Sequence, residues 1–529
     1  MTAQRQDVLA ATSFSKAIDG IEEMRNRIVG TEQESELFFE DKVDPYREMV
    51  DLLISQKTTE ANQEALLYAE RAKGRVLSDV LRNGATNLAS VMSEAEKEEE
   101  GKLNRDIASL NLELSRESDS ARSKAINERL RVARLKYETF RDTVYVSHPQ
   151  LRDRRQISKT LILDSIGRVI QNDKTAFLEY VLSKERTYLF VLTKKQSQPG
   201  YTVSVQPIEV DSSKLTQKAT RLRRLIATRD PGSGDASREL YDVLIKPAQE
   251  ALTGKDTLCI VPDGLLWEVP FQALQAHNDR FLLQDFALYY APSIDVLRTM
   301  AERRSNPHVE SPSLLAFGNP KLGDEVVANV KAVYRDETLA PLPEAETEVK
   351  TLKEIWGPRS SRVLIGKEAG KKAFKAHAAN YQIIHLATHG ILDDTNPLYS
   401  RLVLARASDD PDDDGLLEAW EIMHLNLHAD LVVLSACQTA RGRTAAGEGV
   451  VGISWAFFLA GAPTTVVSQW KVDSASTATL MMDFHRNLKA QQGVAKAQAL
   501  RRAALGLLKD KSYQHPFYWA GFIMIGNGS

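Results

Sequence analysis

Between Leu314 and Ile525 the chain is punctuated by short, almost wholly apolar runs: LLAFG, VLI, IIHLA, LVL, LVVLS, TTVVS and FIMI. A strand with one wet face alternates apolar and polar residues, and these runs do not, so both of their faces must be covered. At three to five residues each they are also too short for buried helices. Strands of this kind alternating with helical segments specify a largely parallel α/β sheet covered on both sides. Upstream, AFLEYVL (Ala176 to Leu182) and TYLFVL (Thr187 to Leu192) read as paired strands. A helix is expected near Leu240 to Leu252, then the strand TLCIVP, and the proline-containing stretch Arg303 to Pro312 separates this section from the next.

The first 150 residues carry a different period. Tyr46, Met49, Val50 and Leu53, then Ala65, Ala69, Ala72, Val76 and Val80, recur at helical steps of three and four. The polar SQKTTEANQ between them predicts a helix-turn-helix whose small residues allow close packing, like one tetratricopeptide-type (TPR-like) unit, with AERAK (Ala69 to Lys73) in its second helix. From Glu94 to Val146 a charged sequence carries a sparse seam: Leu103, Ile107, Leu110 and Leu114, then Ile126, Leu130, Ala133, Tyr137, Phe140 and Val144. The polar SRESDSARSK between the halves predicts an antiparallel, coiled-coil-like hairpin, read as a spacer or as a partner-docking arm.

Two of the buried strands run straight into reactive side chains. IIHLA leads into Thr388-His389-Gly390, and LVVLS leads into Ala436-Cys437-Gln438-Thr439. Sites in parallel sheets collect at the carboxyl ends of strands, so neighbouring strands here would bring His389 and Cys437 out side by side. A thiol of pKa ~8.5 is mostly protonated at neutral pH, and an adjacent imidazole can take its proton and later give one to a leaving amine. Gly390 lets a substrate backbone approach, and its N–H with that of Cys437 would serve as oxyanion donors.

The segments HLATHGILDDTNPLYSRLVL, LVVLSACQTARGRTAAGEGVVGISWAFFLAGAPTTVVSQWKVD and YWAGFIMIG, with LCIVPDGLLWEVPFQAL and LLAFGNPKLG upstream, closely resemble CHAT domains, caspase-like cysteine peptidases that often follow tetratricopeptide repeats (TPR-CHAT). The 48-position separation of His389 and Cys437 matches the caspase spacing. The resemblance covers roughly Ser158 to Gly528. It implies a caspase-hemoglobinase-like α/β fold, a mostly parallel sheet flanked by helices and preceded by an all-α TPR-like and helical-hairpin region. The expected division is a helical part over 1–150, a pseudo-caspase half over 151–310 and a catalytic half over 311–529. The implied activity is cysteine endopeptidase, with His389 as general base and acid, Cys437 as nucleophile and a protein substrate in a signalling or bacterial defence pathway. The loop Gln438 to Gly449 is short, so control by a bound protein or ribonucleoprotein on the N-terminal helices is expected rather than zymogen cleavage. In such folds the loop SQWKVDS lines the first specificity pocket, which makes Asp473 a candidate partner for a basic side chain and Trp470 an apolar wall. Asp393 and Asp394, just past His389, read as a turn or cap.

Composition closes off several other classes. Lys and Arg number 68 against 71 Asp and Glu, which gives no general attraction to nucleic acid or anionic membrane. Two cysteines exclude a disulfide scaffold, no run is long enough to span a membrane, and no secretory leader stands at Met1, so a reducing cytoplasm is expected. Neither a cofactor nor a metal is expected. His385 and His389 share the spacing of a helical zinc pair but lie on a strand without the intervening Glu, and His385 reads as a buried, hydrogen-bonded strand residue. His424 and His428 read as solvent-facing. Cys259, inside TLCIV, reads as a core thiol. IGKEAGKKA fails the phosphate-loop spacing, and GISWA is no nucleophile elbow. The basic stretch Lys218 to Arg229 reads as a helix with a charged outer face, and SDDPDDD (Ser408 to Asp414) as a solvated turn rather than a calcium loop.

Overall fold

The structure is a computed structural model that describes residues 2–27, 42–83, 92–116, 120–148, 163–170, 172–194, 200–303, 313–323, 327, 339–393, 397–407, 413–435, 444–445, 449–450, 452–490 and 493–529. The described regular elements of the N-terminal part are helices: Thr2–Arg27, Asp44–Ser55, Thr59–Arg71 and Arg75–Asn83, then the long pair Glu94–Arg116 and Ser120–Ser147. The turn between the second and third of these is closed by Thr58, whose hydroxyl accepts the Ala61 N–H at 3.1 Å. The continuous helix expected over Ala65 to Val80 is instead broken at Gly74. Its φ of +54° is left-handed, and a Cβ there would stand 2.9 Å from Cγ2 of Val296, so the break also packs closely against the α/β part.

This helical unit is fastened into the rest of the chain. The Glu70 carboxylate accepts the backbone N–H groups of Ile294 (2.9 Å) and Asp295 (2.8 Å) at the start of the helix Ile294–Arg303. Lys73 reaches the Glu179 carboxylate at 2.9 Å and the Tyr180 carbonyl at 2.6 Å, and Ser78 donates to Asp295 at 2.6 Å. One hydrophobic core runs unbroken from Ile18 through Tyr46 and Leu77 to Ile525.

The predicted hairpin forms, with Leu103, Ile107, Leu110 and Leu114 packed against Ile126, Leu130, Ala133 and Tyr137. Its strapping is antiparallel: Arg129 pairs with Glu113, Tyr137 with Glu100 and His148 with Glu96.

The strands are β1 (Thr175–Leu182), β2 (Thr187–Lys194), β3 (Tyr201–Ile208), β4 (Thr257–Val261), β5 (Ala287–Tyr290), β6 (Leu314–Pro320), β7 (Ser361–Gly366), β8 (Ile383–Ala387), β9 (His389–Ile391), β10 (Arg401–Val403), β11 (Leu416–Glu418), β12 (Leu431–Leu434), β13 (Thr444–Ala445), β14 (Gly449–Val450), β15 (Thr464–Ser468) and β16 (Phe522–Gly526). Eleven of them form one mainly parallel sheet in the order β3-β2-β1-β4-β5-β16-β15-β12-β8-β6-β7, flanked by helices. β9, β10 and β11 form a small antiparallel sheet beside it, and β13 pairs with β14. The apolar runs are buried end to end in β4, β8, β12, β15 and β16, as full cover on both faces requires. β3, β5, β9 and β11 had no clear signal in the sequence. β9 and β11 are only three residues long, and β3 is half-exposed.

Three further expectations are altered or placed. The helix expected to reach Leu252 ends at Leu244. Lys218 and Arg221 lie on the helix Ser212–Ala227 and pair with Glu239, as a charged outer face should. Asp413 and Asp414 are buried, not solvated. Asp414 meets the Lys371 ammonium at 2.8 Å and accepts from Asn111 of the hairpin at 3.1 Å, because a buried lysine needs an anion at hand. Residues 408–412 of that segment and 304–312 of the proline-containing stretch lie outside the described residues.

Candidate active site

β8 is sealed on both faces, and at its end Thr388 turns the chain out of the main sheet. The Thr388 hydroxyl donates to the carbonyl of Val403, and β9 then pairs with β10 through Val403↔His389 and Leu402↔Gly390. His389 therefore stands at the junction of the two sheets, partly exposed. Its Nε2 lies 2.8 Å from the carbonyl oxygen of Ala340. A carbonyl only accepts, so Nε2 holds the proton and Nδ1 is the basic nitrogen of the neutral ring.

β12 is the parallel neighbour of β8, with Leu431↔Ile383, Val433↔His385 and Leu434↔Leu386 in register. The adjacency on which the side-by-side placement depended is present. Past the last pair, both chains leave at the same carboxyl edge, and Ser435 is the final described residue on the β12 side. Cys437, like Ala436 and residues 438–443, lies outside the described residues, as does Asp394.

The two proposed pocket residues are held by other contacts. Trp470 is buried, its indole N–H donating to the Phe517 carbonyl at 3.2 Å. It lies so close to Gly521 that a Cβ there would stand 3.2 Å from its Nε1. Asp473, half-exposed, accepts the Ser476 N–H at 2.9 Å and so caps the helix Ser474–Ala490. The Asp393 backbone N–H donates to the Ser400 hydroxyl oxygen at 3.0 Å.

The histidines and cysteine outside the pair separate cleanly. His424 and His428 are exposed, and Cys259 is wholly buried, its thiol pushed well above the ordinary range by burial. His385 is buried at the centre of a polar chain that sequence reasoning had only partly seen. Its Nδ1 is 3.1 Å from Nε2 of His485, whose Nδ1 receives the Trp356 indole N–H at 3.1 Å. On the other side, Nε2 of His385 lies 2.6 Å from Oε1 of Glu348, without the alignment of a full hydrogen bond. The Ser435 hydroxyl lies 3.2 Å from Oε2 of the same carboxyl. Burial holds His385 down at about 3, lowers His485 well below the usual imidazole range, and pushes Glu348 well up. The signal for Glu348 was available: it sits on the apolar stripe with Val349, Leu352 and Trp356 of the helix Pro343–Trp356.

The helical hairpin rests on the small sheet that carries His389. Arg134 lies 3.0 Å from Glu418 of β11 and 4.1 Å above the Tyr399 ring, while Tyr137 packs on Trp420 with ring centres 4.9 Å apart. Among the described residues no cluster of His, Cys, Asp and Glu is placed to hold a metal ion, and no helix is long and apolar enough to cross a membrane.

The sequence pattern of the CHAT domain matches residues 234–527. Tetratricopeptide repeat protein 28 of Homo sapiens is 28% identical over 399 residues, 67% of this chain and 15% of that protein. The protein of the same name from Mus musculus is 29% identical over 334 residues, 55% of this chain and 13% of that protein. The chain thus spans 15% or less of the length of these curated relatives. Among solved structures, the Saccharomyces cerevisiae separase-securin complex at 3.0 Å aligns with 98% of this chain and 40% of that chain, with a TM-score of 0.53 and 8% identity, a likeness of fold.

Proposed function

The chain belongs to the CHAT domain family, and on that premise we propose that it is a caspase-like cysteine endopeptidase. One observation carries the reading: the in-register pairing of β8 with β12. Leu386 faces Leu434, and His389 and Cys437 each lie three residues further along. In this reading Sγ of Cys437 attacks the scissile carbonyl, Nδ1 of His389 takes the thiol proton, and the same nitrogen returns it to the leaving amine. The Ala340 carbonyl fixes the tautomer that this requires. The backbone N–H groups of Gly390 and Cys437 are the proposed oxyanion donors.

The substrate is a protein, and Asp473 with Trp470 is the proposed site for its basic side chain. Control is assigned to a protein or ribonucleoprotein on the N-terminal helices. Support comes from the hairpin, which touches β11 through Arg134 and so adjoins the sheet that carries His389. Residues 1–150, 151–310 and 311–529 are the proposed helical, buttressing and catalytic parts. A reducing compartment such as the cytoplasm suits a free Cys437.

The relatives named as tetratricopeptide repeat proteins favour a second reading, a scaffold that binds without cutting. An electrophilic peptide probe separates the two. Rapid labelling of Cys437 that is lost in His389→Ala is expected of the peptidase; equally slow labelling of both proteins would leave the scaffold.

A further inference from the structure

The chemistry just proposed makes no use of the buried chain Trp356, His485, His385, Glu348 and Ser435. Such a chain is costly to bury, and each of its members is at least nine-tenths hidden from solvent. Its polarity is dictated from one end. An indole N–H can only donate, so Nδ1 of His485 accepts and Nε2 of His485 carries the hydrogen aimed at Nδ1 of His385. His385 must then hold its own hydrogen on Nε2, which lies 2.6 Å from Oε1 of Glu348 without the alignment of a full hydrogen bond. The other carboxyl oxygen, Oε2, meets Ser435. Every group along this path can be uncharged, which agrees with histidines that resist protonation and a carboxyl that resists ionisation in the same interior.

The placement of Glu348 is more specific than its chemistry. Its two oxygens face two different strands: Oε1 meets His385 of β8, the strand that delivers His389, and Oε2 meets Ser435 at the end of β12, two residues before Cys437. Side chains alternate along a strand, so 433 and 435 share a face, and the Val433↔His385 pairing puts Ser435 on the face that His385 occupies. The same segment reaches the other partner as well, because Ala340, which holds Nε2 of His389, leads directly into the helix Pro343–Trp356 that bears Glu348.

We propose that Glu348 is a positioning residue for the peptidase site, a carboxyl bridge that sets the spacing of the β8 and β12 exits and hence of His389 and Cys437. The proposal rests on the peptidase reading above. A protonated carboxyl offers one donor and one acceptor, and a glutamine amide offers the same pair in nearly the same shape. Leucine fills similar space and offers neither. A role in packing alone would treat Gln and Leu alike, whereas a bridge separates them.

The test uses the full chain and its Glu348→Gln, Glu348→Leu, Ser435→Ala and His389→Ala variants, each checked for a cooperative melt and then reacted with a peptidyl chloromethyl ketone. Glu348→Leu is expected to lower the rate of Cys437 alkylation about tenfold, since small displacements of reacting groups are expensive, while Glu348→Gln stays within about threefold of wild type. A wild-type rate in folded Glu348→Leu overturns the proposal, as does a Gln variant as slow as the Leu variant. If Glu348→Leu does not fold, Ser435→Ala decides: a slowed rate supports the bridge and an unchanged one overturns it. A wild type that reacts no faster than His389→Ala is a different pattern, which removes the peptidase reading and this inference with it.

Discussion

The Lys73 ammonium and the Glu179 carboxylate meet 2.9 Å apart where the N-terminal helices cross onto β1, and both side chains are almost wholly shielded from water. Each would be an unpaired buried charge without the other. Lys73 also donates to the Tyr180 carbonyl, so the helices complete the hydrogen bonding of the α/β part instead of hanging beside it. Removing one partner of such a pair strands the other, and Lys73→Ala is expected to cost about 3 to 5 kcal/mol. Urea unfolding would read this as a lowered midpoint in a single transition. A separate early transition for the helical region, with the remainder unshifted, would mean that the two parts fold independently.

The two cysteines should behave oppositely. Cys259 has no exposed surface and a thiol held up by burial, so Cys259→Ala is expected to leave probe labelling and cleavage nearly intact. Cys437→Ala should abolish both. A comparison of new protein N-termini made by wild type and by Cys437→Ala in cell extract would check the activity and read the cleavage motif together. No difference between those two sets would contradict the nucleophile assignment.

Asp473 has a structural job that can be separated from the proposed selective one. Asparagine caps a helix about as well as aspartate, so Asp473→Asn should preserve the bond to the Ser476 N–H while deleting the charge. The expected outcome is an unchanged melting temperature and at least a roughly tenfold fall in cleavage of Arg-containing peptides relative to Leu-containing ones, the scale of a lost charged contact. An unchanged ratio would return Asp473 to capping alone.

The buried imidazoles make a signed prediction about acid. His385 titrates at about 3 and His485 well below its ordinary value, against 6.5 for an exposed imidazole. Below pH 6.5 the unfolded chain therefore binds protons that the folded one refuses, and this contribution to stability, complete above 6.5, drains away as pH falls toward 3. Glu348, held high, works in the other sense above about pH 4.5, so the histidine effect stands clearest below that point. Denaturation midpoints measured from pH 6.5 to 3 should fall less steeply in His485→Gln than in wild type. Equal slopes would mean that the pair already takes up protons in the folded state.

Arg134 links the hairpin to the neighbourhood of His389 through Glu418 and the face of Tyr399. Arg134→Ala should loosen the hairpin and raise its cleavage by an added protease several-fold, in proportion to the local opening equilibrium. It should also change the alkylation rate of Cys437 if the hairpin is the route of control. Looser hairpin, unchanged alkylation is the result that would confine it to a structural role.

The strands were legible because burial on two faces leaves a mark in composition that no neighbour can mask: IIHLA and LVVLS could only be interior. The hairpin seam was legible for the same reason, at a different period. Adjacency of β8 and β12 was a conjecture from their shared chemistry, and the register that makes it meaningful came only with the fold. The contacts of Glu348 and His485, as distinct from the place of Glu348 on an apolar stripe, stayed hidden because their partners Ser435 and His385 lie 87 and 100 residues away in sequence. The burial of Asp413 and Asp414 was not legible because SDDPDDD has the composition of a wet loop, and the lysine that meets Asp414, Lys371, lies 43 residues away in sequence. β9 and β11, at three residues each, owe their existence to the partner β10 rather than to any preference of their own.

β16, the last of the described strands in chain order, lies in the middle of the sheet, with five strands on one side and five on the other. During synthesis the strands on both sides of it therefore exist before the strand that joins them. Until Phe522 to Gly526 arrive, β5 and β15 each present a bare edge of unpaired backbone groups, which invites pairing with a foreign strand. Among the described strands β16 follows every other in chain order, so the two halves of the sheet can be joined only once both have been made.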